Sequence, residues 1–357
     1  MIKTINAALF SFILVGFCMA TLVNWPQMPD VSAQDIIKGK AALLVEKQLE
    51  DELLLRQSLI NAWTQLKFSI FQEGKSGVVI GDSGWLFSTE EYEWSAQANK
   101  YFDENLRLIR SLVHLLNDNQ VNVYLVMIPT KIEVYQDYSP FDSALINYAV
   151  RQNMANQLEK LRISHLDSYP VLAASAKTEQ MFMRTDTHWT PMGASKVAMA
   201  MSETFKSLRR DTQFERTLMQ PEPFLGDLVT FIPAGDEWLN KNLEPESLSK
   251  PVTSLVEAES DDLFSESLAP ELALIGTSYS ADQRWDFAGA LQHALGAEVV
   301  NFAEEGEGPF VPMQRFIEQQ VLQDLGIRHV IWEVPVRYMV QKPTTTQHSI
   351  QELRRKE

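Results

Sequence analysis

Cysteine is almost absent from this sequence, and acidic residues outnumber basic ones. The single cysteine, Cys18, excludes an intrachain disulfide, a Cys-x-x-Cys redox motif and a thiolate zinc site. The 31 Lys and Arg residues face 47 Asp and Glu residues, which gives a formal net charge of −16. A nucleic-acid-binding protein needs a basic face against the phosphates, so we expect no nucleic-acid partner.

Histidine is also sparse, and its spacing matches no metal-binding motif. The six histidines, at positions 114, 165, 188, 293, 329 and 348, form no i,i+4 pair and no His-Glu-x-x-His motif. We therefore expect no metal and no other cofactor. Hydrophobic residues are plentiful instead, at 45% of 357 residues. That is enough for one large domain with additions or for two small domains.

The longest apolar run lies at the N-terminus, from Ile5 to Val23. It approaches the ~20 residues that cross a bilayer, and Lys3 before it favours a cytoplasmic N-terminus. Residues 1–26 are therefore predicted to be a signal anchor, with a cleaved signal peptide as the alternative. Either reading exports the remaining chain, and an exported protein without disulfides is typical of the bacterial periplasm. We expect a periplasmic protein held at the inner membrane.

The rest of the chain divides by its hydrophobic period. Residues 27–74 have apolar residues three and four apart and predict an amphipathic stalk helix. Residues 78–87 predict a β-hairpin around a Gly-Asp-Ser-Gly turn. Strands are predicted at 121–128, 271–275, 298–302 and 329–333, and helices at 101–117, 143–161, 285–295 and 313–325. This alternation indicates an α/β domain with a mostly parallel sheet flanked by helices, whose functional groups follow the strands' carboxyl ends.

An acidic segment, residues 211–270, interrupts this rhythm. It carries 13 acidic residues against three basic ones, a net charge of −10. With six prolines and little periodicity, it is predicted to be an excursion outside the sheet core. Most of the net charge of the protein is therefore local to this segment.

A candidate nucleophile follows the predicted strand 271–275. In the run from Gly276 to Ser280, Ser278 lies on a strand-to-helix turn, where its hydroxyl projects from the sheet edge. Backbone N–H groups of the same turn can stabilise an oxyanion. Serine is also a common helix cap, so the motif alone favours capping.

A candidate base lies earlier in the chain, in the run from Arg184 to Ala194. Thr190 and Pro191 predict an N-cap and first helical residue, so His188 lies in a loop just before a helix continuing to Leu208. Asp186 can bond one ring nitrogen of His188 and leave the other as a general base. The pair by itself favours a structural turn. Together with Ser278 it favours a catalytic triad, because a serine needs an oriented base to become nucleophilic.

Several motifs in fixed order give a specific resemblance. They are Gly84-Trp85-Leu86-Phe87, Ile128-Pro129-Thr130-Lys131, Asp186-Thr187-His188-Trp189-Thr190-Pro191, Gly226-Asp227-Leu228, Gly276-Thr277-Ser278-Tyr279-Ser280 and Trp332-Glu333-Val334-Pro335 with Arg337-Tyr338. Over about residues 75–340 the sequence resembles the SGNH hydrolase-like alginate O-acetyltransferase family, of the AlgJ and AlgX type. The resemblance is to membrane-anchored, single-domain members, because residues 341–357 form only a polar tail.

The resemblance implies an SGNH hydrolase-like fold and a triad of Ser278 as nucleophile, His188 as base and Asp186 as its orienting partner. It also implies a periplasmic enzyme that passes acetyl groups to sugar hydroxyls, supplied by a membrane-bound O-acyltransferase within an exopolysaccharide machine that contains other subunits. Lys131, Arg337 and Tyr338 lie at or near predicted strand ends and are candidate substrate-binding residues, with ion pairing and core packing as equal alternatives.

Three alternatives stay open from the sequence. The acidic segment opposes a polyuronate, so a neutral glycan is as open an acceptor as alginate. Water could replace the sugar, which would make the protein a carbohydrate acetyl-esterase with the same triad. The third is a catalytically silent scaffold or glycan-binding subunit, against which the intact Asp186, His188 and Ser278 argue.

Overall fold

The computed structural model describes residues 31–38, 40–52, 76–256, 270–319 and 325–345, with isolated positions at 11, 15, 19 and 63. The chain separates into two compact units: residues 1–73 with 233–238, and residues 74–232 with 239–357. All the predicted site residues lie in the second unit. Apart from those isolated positions, the predicted anchor at 1–26, most of the stalk and the tail beyond residue 345 lie outside the described residues.

The helices and strands of the described residues are as follows. The α-helices are α1 (Ala33–Ile37), α2 (Ala41–Glu52), α3 (Ala98–Asp118), α4 (Lys131–Val134), α5 (Ala144–Lys160), α6 (Tyr169–Ser175), α7 (Pro191–Thr204), α8 (Asp236–Leu243), α9 (Ser278–Ala281), α10 (Phe287–Leu295) and α11 (Phe310–Glu318). The strands are β1 (Val78–Ile80), β2 (Leu86–Ser88), β3 (Asn122–Ile128), β4 (Ser164–Asp167), β5 (Phe214–Leu218), β6 (Glu222–Phe224), β7 (Glu246–Leu248), β8 (Pro251–Leu255), β9 (Leu272–Ile275), β10 (Val299–Asn301) and β11 (His329–Pro335).

The centre of the second unit is a five-stranded sheet in the order β10-β9-β11-β3-β4, with every pair parallel. Alternate residues of β3 enter opposite cores: Val123, Leu125 and Met127 on one face, Val126 and Ile128 on the other. Helices α3, α5 and α11 cover the first face, and α6, α7 and α10 cover the second. Burial on both faces explains why the strands are apolar runs without polar alternation.

The predicted α/β architecture with a parallel sheet flanked by helices is confirmed. The strands predicted at 121–128, 271–275, 298–302 and 329–333 are β3, β9, β10 and β11, and the hairpin is β1 with β2. The edge strand β4 was not predicted, because Ser164–Asp167 is short, polar at its start and only partly buried. Helix α7 begins at Pro191, and the Thr190 hydroxyl accepts a hydrogen bond from the Gly193 amide, as the sequence predicts.

The acidic segment lies outside the five-stranded sheet and has regular structure of its own. It forms two antiparallel pairs, β5 with β8 and β6 with β7, together with α8. These elements were not predicted from the sequence, because pairs of this kind need only a few residues each and leave little periodicity to detect. Residues 257–269 lie outside the described residues.

The first unit is described only in part. Within the predicted stalk, α1 ends at Ile37 and α2 begins at Ala41. No helix among the described residues has the length and apolarity needed to cross a bilayer. The signal anchor therefore stays a prediction.

Candidate active site

Three side chains predicted from the sequence meet beyond the carboxyl ends of the central strands. The Oδ1 atom of Asp186 lies 2.6 Å from Nδ1 of His188, and Nε2 of His188 lies 2.7 Å from Oγ of Ser278. Asp186 is fully buried, His188 is 7% exposed and Ser278 is half-buried. The charged end of this chain of hydrogen bonds is therefore shielded from water, while its serine end is reachable.

The protonation of this chain follows from the surroundings of Asp186. Burial alone would raise the pKa of Asp186, but the hydrogen bonds and charge of His188 outweigh burial and lower it to about 2. An ionised carboxylate can only accept, so Nδ1 of His188 carries a proton and donates it. Nε2 is then free to accept from the Ser278 hydroxyl, the arrangement a general base requires.

The turn that carries Ser278 is fixed by a buried carboxylate. Glu333, at the end of β11, accepts from the amide and hydroxyl of Thr277 and from the hydroxyl of Ser280. A Cβ on Gly276 would lie 2.4 Å from Glu333 Oε2, so only glycine lets the turn approach this carboxylate. Ser278 is thereby held between two anchored neighbours.

The acidic segment supplies a support for the Asp186 loop. The Asp227 amide donates to Asp186 Oδ2 at 2.9 Å, and Asp227 Oδ1 accepts from the Thr187 amide at 2.7 Å. A Cβ on Gly226 would lie 2.4 Å from the Cβ of Asp186, so the two backbones are in direct contact. Glu246 accepts from the Arg184 and Thr185 amides. The acidic segment therefore contacts the site at two places, Gly226–Asp227 and Glu246.

Tyr279 joins the histidine loop to the serine turn. Its hydroxyl donates to the Thr187 carbonyl at 2.8 Å, and its carbonyl accepts from the Trp189 indole at 3.1 Å. Burial raises the pKa of Tyr279, so the hydroxyl keeps its proton. Tyr279, the residue after Ser278, thus forms hydrogen bonds with Thr187 and Trp189, the two neighbours of His188 in the chain.

The comparisons with known proteins identify a family for this chain. Residues 78–336 match the family described as SGNH hydrolase-like domain, acetyltransferase AlgX. The chain belongs to the AlgX acetyltransferase family. It is 34% identical over 343 residues to the probable alginate O-acetylase AlgJ of Azotobacter vinelandii, which covers 94% of this chain and 88% of that protein.

Two solved structures resemble this family member. The O-acetyltransferase domain of Pseudomonas putida AlgJ aligns with a TM-score of 0.69 and 31% identity, covering 79% of this chain and 99% of that one. Pseudomonas aeruginosa AlgX aligns with a TM-score of 0.58 and 26% identity, covering 74% and 64%. The SGNH hydrolase-like fold predicted from the sequence is thereby confirmed.

In this AlgX-family chain Lys131 is bonded to the loop that carries Asp186. It has no exposed surface, and its Nζ donates to the carbonyls of Leu86, Arg184 and Asp186 at 2.5, 2.9 and 3.0 Å. A side chain with no exposed surface has no face to offer a substrate. The structure therefore places Lys131 as a positioning residue for the Asp186 loop.

The buried Lys131 ammonium predicts an alkaline limit to activity. Burial lowers the pKa of Lys131 to about 8, with only partial compensation from Glu91, Glu246, Asp186 and Asp227. Below that pH three N–H donors serve three carbonyls; above it the neutral amine has two N–H groups, and one loop carbonyl loses its donor. We expect kcat to fall by about fivefold or more between pH 7 and pH 9.5, since an unpaired buried acceptor costs ~1–3 kcal/mol.

A pH–rate profile of the wild type and of Lys131→Met tests this. The variant should be slower at pH 7 and should lack the alkaline step. A wild-type profile that stays flat to pH 10 would contradict the assignment.

Arg337 and Tyr338 follow β11 at the same edge of the sheet. Arg337 is 7% exposed and donates to Glu90 at 3.1 Å and to the Tyr279 hydroxyl at 3.3 Å. Tyr338 is half-buried, and its ring lies 4.9 Å from the Arg337 guanidinium. Arg337 therefore steadies Tyr279. A substrate contact for either residue stays a prediction.

Among the described residues, one group has donor atoms close enough to share a metal ion: Asp186, His188 and Asp227, with ligand atoms within 4.8 Å of one another. Nδ1 of His188 and both Asp186 oxygens already take part in hydrogen bonds within this group. An ion there would have to displace the bonds that orient His188. The arrangement fits proton transfer better than metal binding.

Proposed function

We propose that this protein transfers acetyl groups to hydroxyls of a bacterial exopolysaccharide, alginate or a related glycan, through an acetyl-Ser278 intermediate. The observation that carries the proposal is the unbroken chain from Asp186 through His188 to Ser278, with contacts of 2.6 and 2.7 Å. Membership of an acetyltransferase family and the names of the AlgJ relatives support acetyl as the group and alginate as the acceptor.

The reaction has two half-reactions with one shared base. His188 Nε2 takes the proton of Ser278 as Oγ attacks the donor's acetyl carbonyl, and then gives that proton to the departing donor oxygen. In the second half, Nε2 takes the proton of a sugar hydroxyl, whose oxygen attacks the acetyl-serine ester. The Ser278–acetyl bond breaks and Ser278 regains its proton. Asp186 stays ionised throughout and stabilises the charged imidazole.

Negative charge on the acetyl oxygen needs donors near Ser278. In the described part of the chain, no acceptor engages the Ser278 amide, whereas the Thr277 amide is bonded to Glu333 and the Ser280 amide to the Thr277 carbonyl. The Ser278 amide is therefore the donor we assign to the oxyanion.

Purified protein given an acetyl ester and matched oligosaccharides tests the reaction. Mass spectrometry should show oligosaccharides heavier by one acetyl group, and none with Ser278→Ala. Release of acetate without acetylated sugar would favour the esterase alternative. No reaction with either acceptor would favour a silent subunit.

We also propose that the protein works in the periplasm, held at the inner membrane by residues 1–26, with a membrane-bound O-acyltransferase as acetyl donor and other exopolysaccharide subunits as partners. The apolar run after Lys3 supports this topology. Alkaline phosphatase fused to the C-terminus should be active in intact cells. An inactive fusion would contradict the proposed location.

A further inference from the structure

Negative charge surrounds the base of the site. Besides Asp186, the carboxylate of Asp227 lies 3.9 Å from His188 Nδ1 and is 42% exposed. The protein as a whole carries −16. An anionic sugar would be repelled at this point unless a cation stood beside the triad.

Most cationic side chains around the triad are buried or already donate hydrogen bonds to other groups of the protein. Lys131 is fully buried against three carbonyls, and Arg337 is 7% exposed. The Arg184 guanidinium donates to the carbonyls of Leu243 and Glu244. Arg284 differs, because its side chain is 39% exposed.

Arg284 is held rigidly beside the histidine. Its Nε and Nη2 bind Oδ2 of Asp282 at 2.7 and 2.5 Å. Its guanidinium lies 5.1 Å from the ring of Trp285 and 5.3 Å from that of Phe224. Trp285 in turn stacks on His188 at 5.7 Å. The guanidinium and the catalytic imidazole therefore contact the same indole ring.

Part of the Arg284 guanidinium forms no hydrogen bond with the described residues. The bonds to Asp282 engage Nε and Nη2, and no acceptor in the described part of the chain engages Nη1. The hydrogen bond to Asp282 raises the pKa of Arg284, and the charges of Asp186 and Asp227 act in the same direction. The side chain is thus a fixed cation with an open edge, the form that suits a carboxylate.

We propose that Arg284 binds the carboxylate of a uronate acceptor and so selects acidic sugars. A uronate carries its carboxylate and its hydroxyls on one ring, so a carboxylate on the Arg284 edge lets a hydroxyl of the same or the adjacent residue approach His188. The inference rests on the proposed acetyl transfer and adds the residue that makes the acceptor a uronate. Arg284 offsets the repulsion from Asp186 and Asp227 where the sugar binds.

Acceptor competition tests this with two variants and one matched control. The acceptors are a mannuronate oligosaccharide and a neutral mannose oligosaccharide of the same length. We expect Arg284→Gln to lower the ratio of kcat/KM for the uronate over the neutral sugar by about 10–100-fold, because a charge-assisted pair is lost. Arg284→Lys, which keeps the charge without the fork, should fall between the two. Arg210→Gln, which removes a cation 36% exposed and paired with Glu271, should leave the ratio unchanged.

A binding measurement separates this inference from the proposed reaction. Calorimetry of the mannuronate oligosaccharide with Ser278→Ala, and with Ser278→Ala combined with Arg284→Gln, should show about a 10–100-fold weaker Kd for the second. If acetyl transfer occurs but the ratio of kcat/KM for the uronate over the neutral sugar does not change in Arg284→Gln, the inference is overturned and the proposed reaction stands. Uronate binding that depends on Arg284, without transfer by the wild type, would keep the inference and overturn the reaction.

Discussion

Ser278→Ala should lower the rate of acetyl transfer by about ten-thousandfold or more, because no other group in the chain of hydrogen bonds can form the acetyl ester. His188→Ala should lose nearly as much, and the double variant should be little worse than either single one, since the groups act as a unit. The fold should survive, because Glu333 and the Thr277 cap fix the turn without the Ser278 hydroxyl.

Single-turnover acetylation measured by intact-protein mass spectrometry checks this result directly. Wild-type protein should gain one acetyl group at Ser278, and Ser278→Ala should gain none at that site. Ser195→Ala is the matched control, since its hydroxyl is half-buried and bonds to the Pro191 carbonyl in α7. Normal acetyl transfer by Ser278→Ala would show that the nucleophile is another residue.

Asp186→Asn should lower kcat by about a thousand- to ten-thousandfold while binding of the acceptor changes little. An amide in place of the carboxylate can present its NH₂ to Nδ1, which favours the wrong tautomer of His188 and removes the charge that stabilises the imidazolium. The buried position of Asp186 allows no water to substitute for that charge.

Asp227→Asn is the matched control for this prediction. Its carboxylate is the other one near His188, but at 3.9 Å it is beyond hydrogen-bond distance, and its backbone amide still orients Asp186 after the change. We expect a loss below about tenfold. Equal losses in the two variants, measured as kcat at saturating acceptor, would mean that Asp227 shares the role assigned to Asp186.

The sequence predicted the parts of this protein that depend on local pattern. The apolar strands β3, β9 and β11 and the capped start of α7 all rest on residues within a few positions of one another. The Asp186–His188 contact is equally local. Pairing Asp186 and His188 with Ser278 was within reach because a serine needs an oriented base to become nucleophilic.

The features that the sequence did not predict depend on contacts between residues that are far apart in the chain. Glu333 was visible as part of a motif, but its contact with the Ser278 turn requires β11 to lie beside β9. Lys131 was a candidate substrate-binding residue because it lies near a predicted strand end, with ion pairing and core packing as equal alternatives, and three backbone carbonyls surround it. Arg284 has no sequence signal at all; only the rings of Trp285 and Phe224 around it make it distinctive.

The contact of Gly226 with Asp186 couples the chemistry to the completion of folding. A chain emerging from synthesis presents His188 first, then Gly226 and Asp227 some 40 residues later, and Ser278 only 90 residues after the histidine. Until the glycine closes on the loop, the carboxylate lacks one of its oriented donors, and until β9 joins the sheet there is no nucleophile. Segments so distant in sequence close late, because each loop must be ordered before its contacts stabilise it. An incompletely folded chain therefore lacks the assembled arrangement of Asp186, His188 and Ser278.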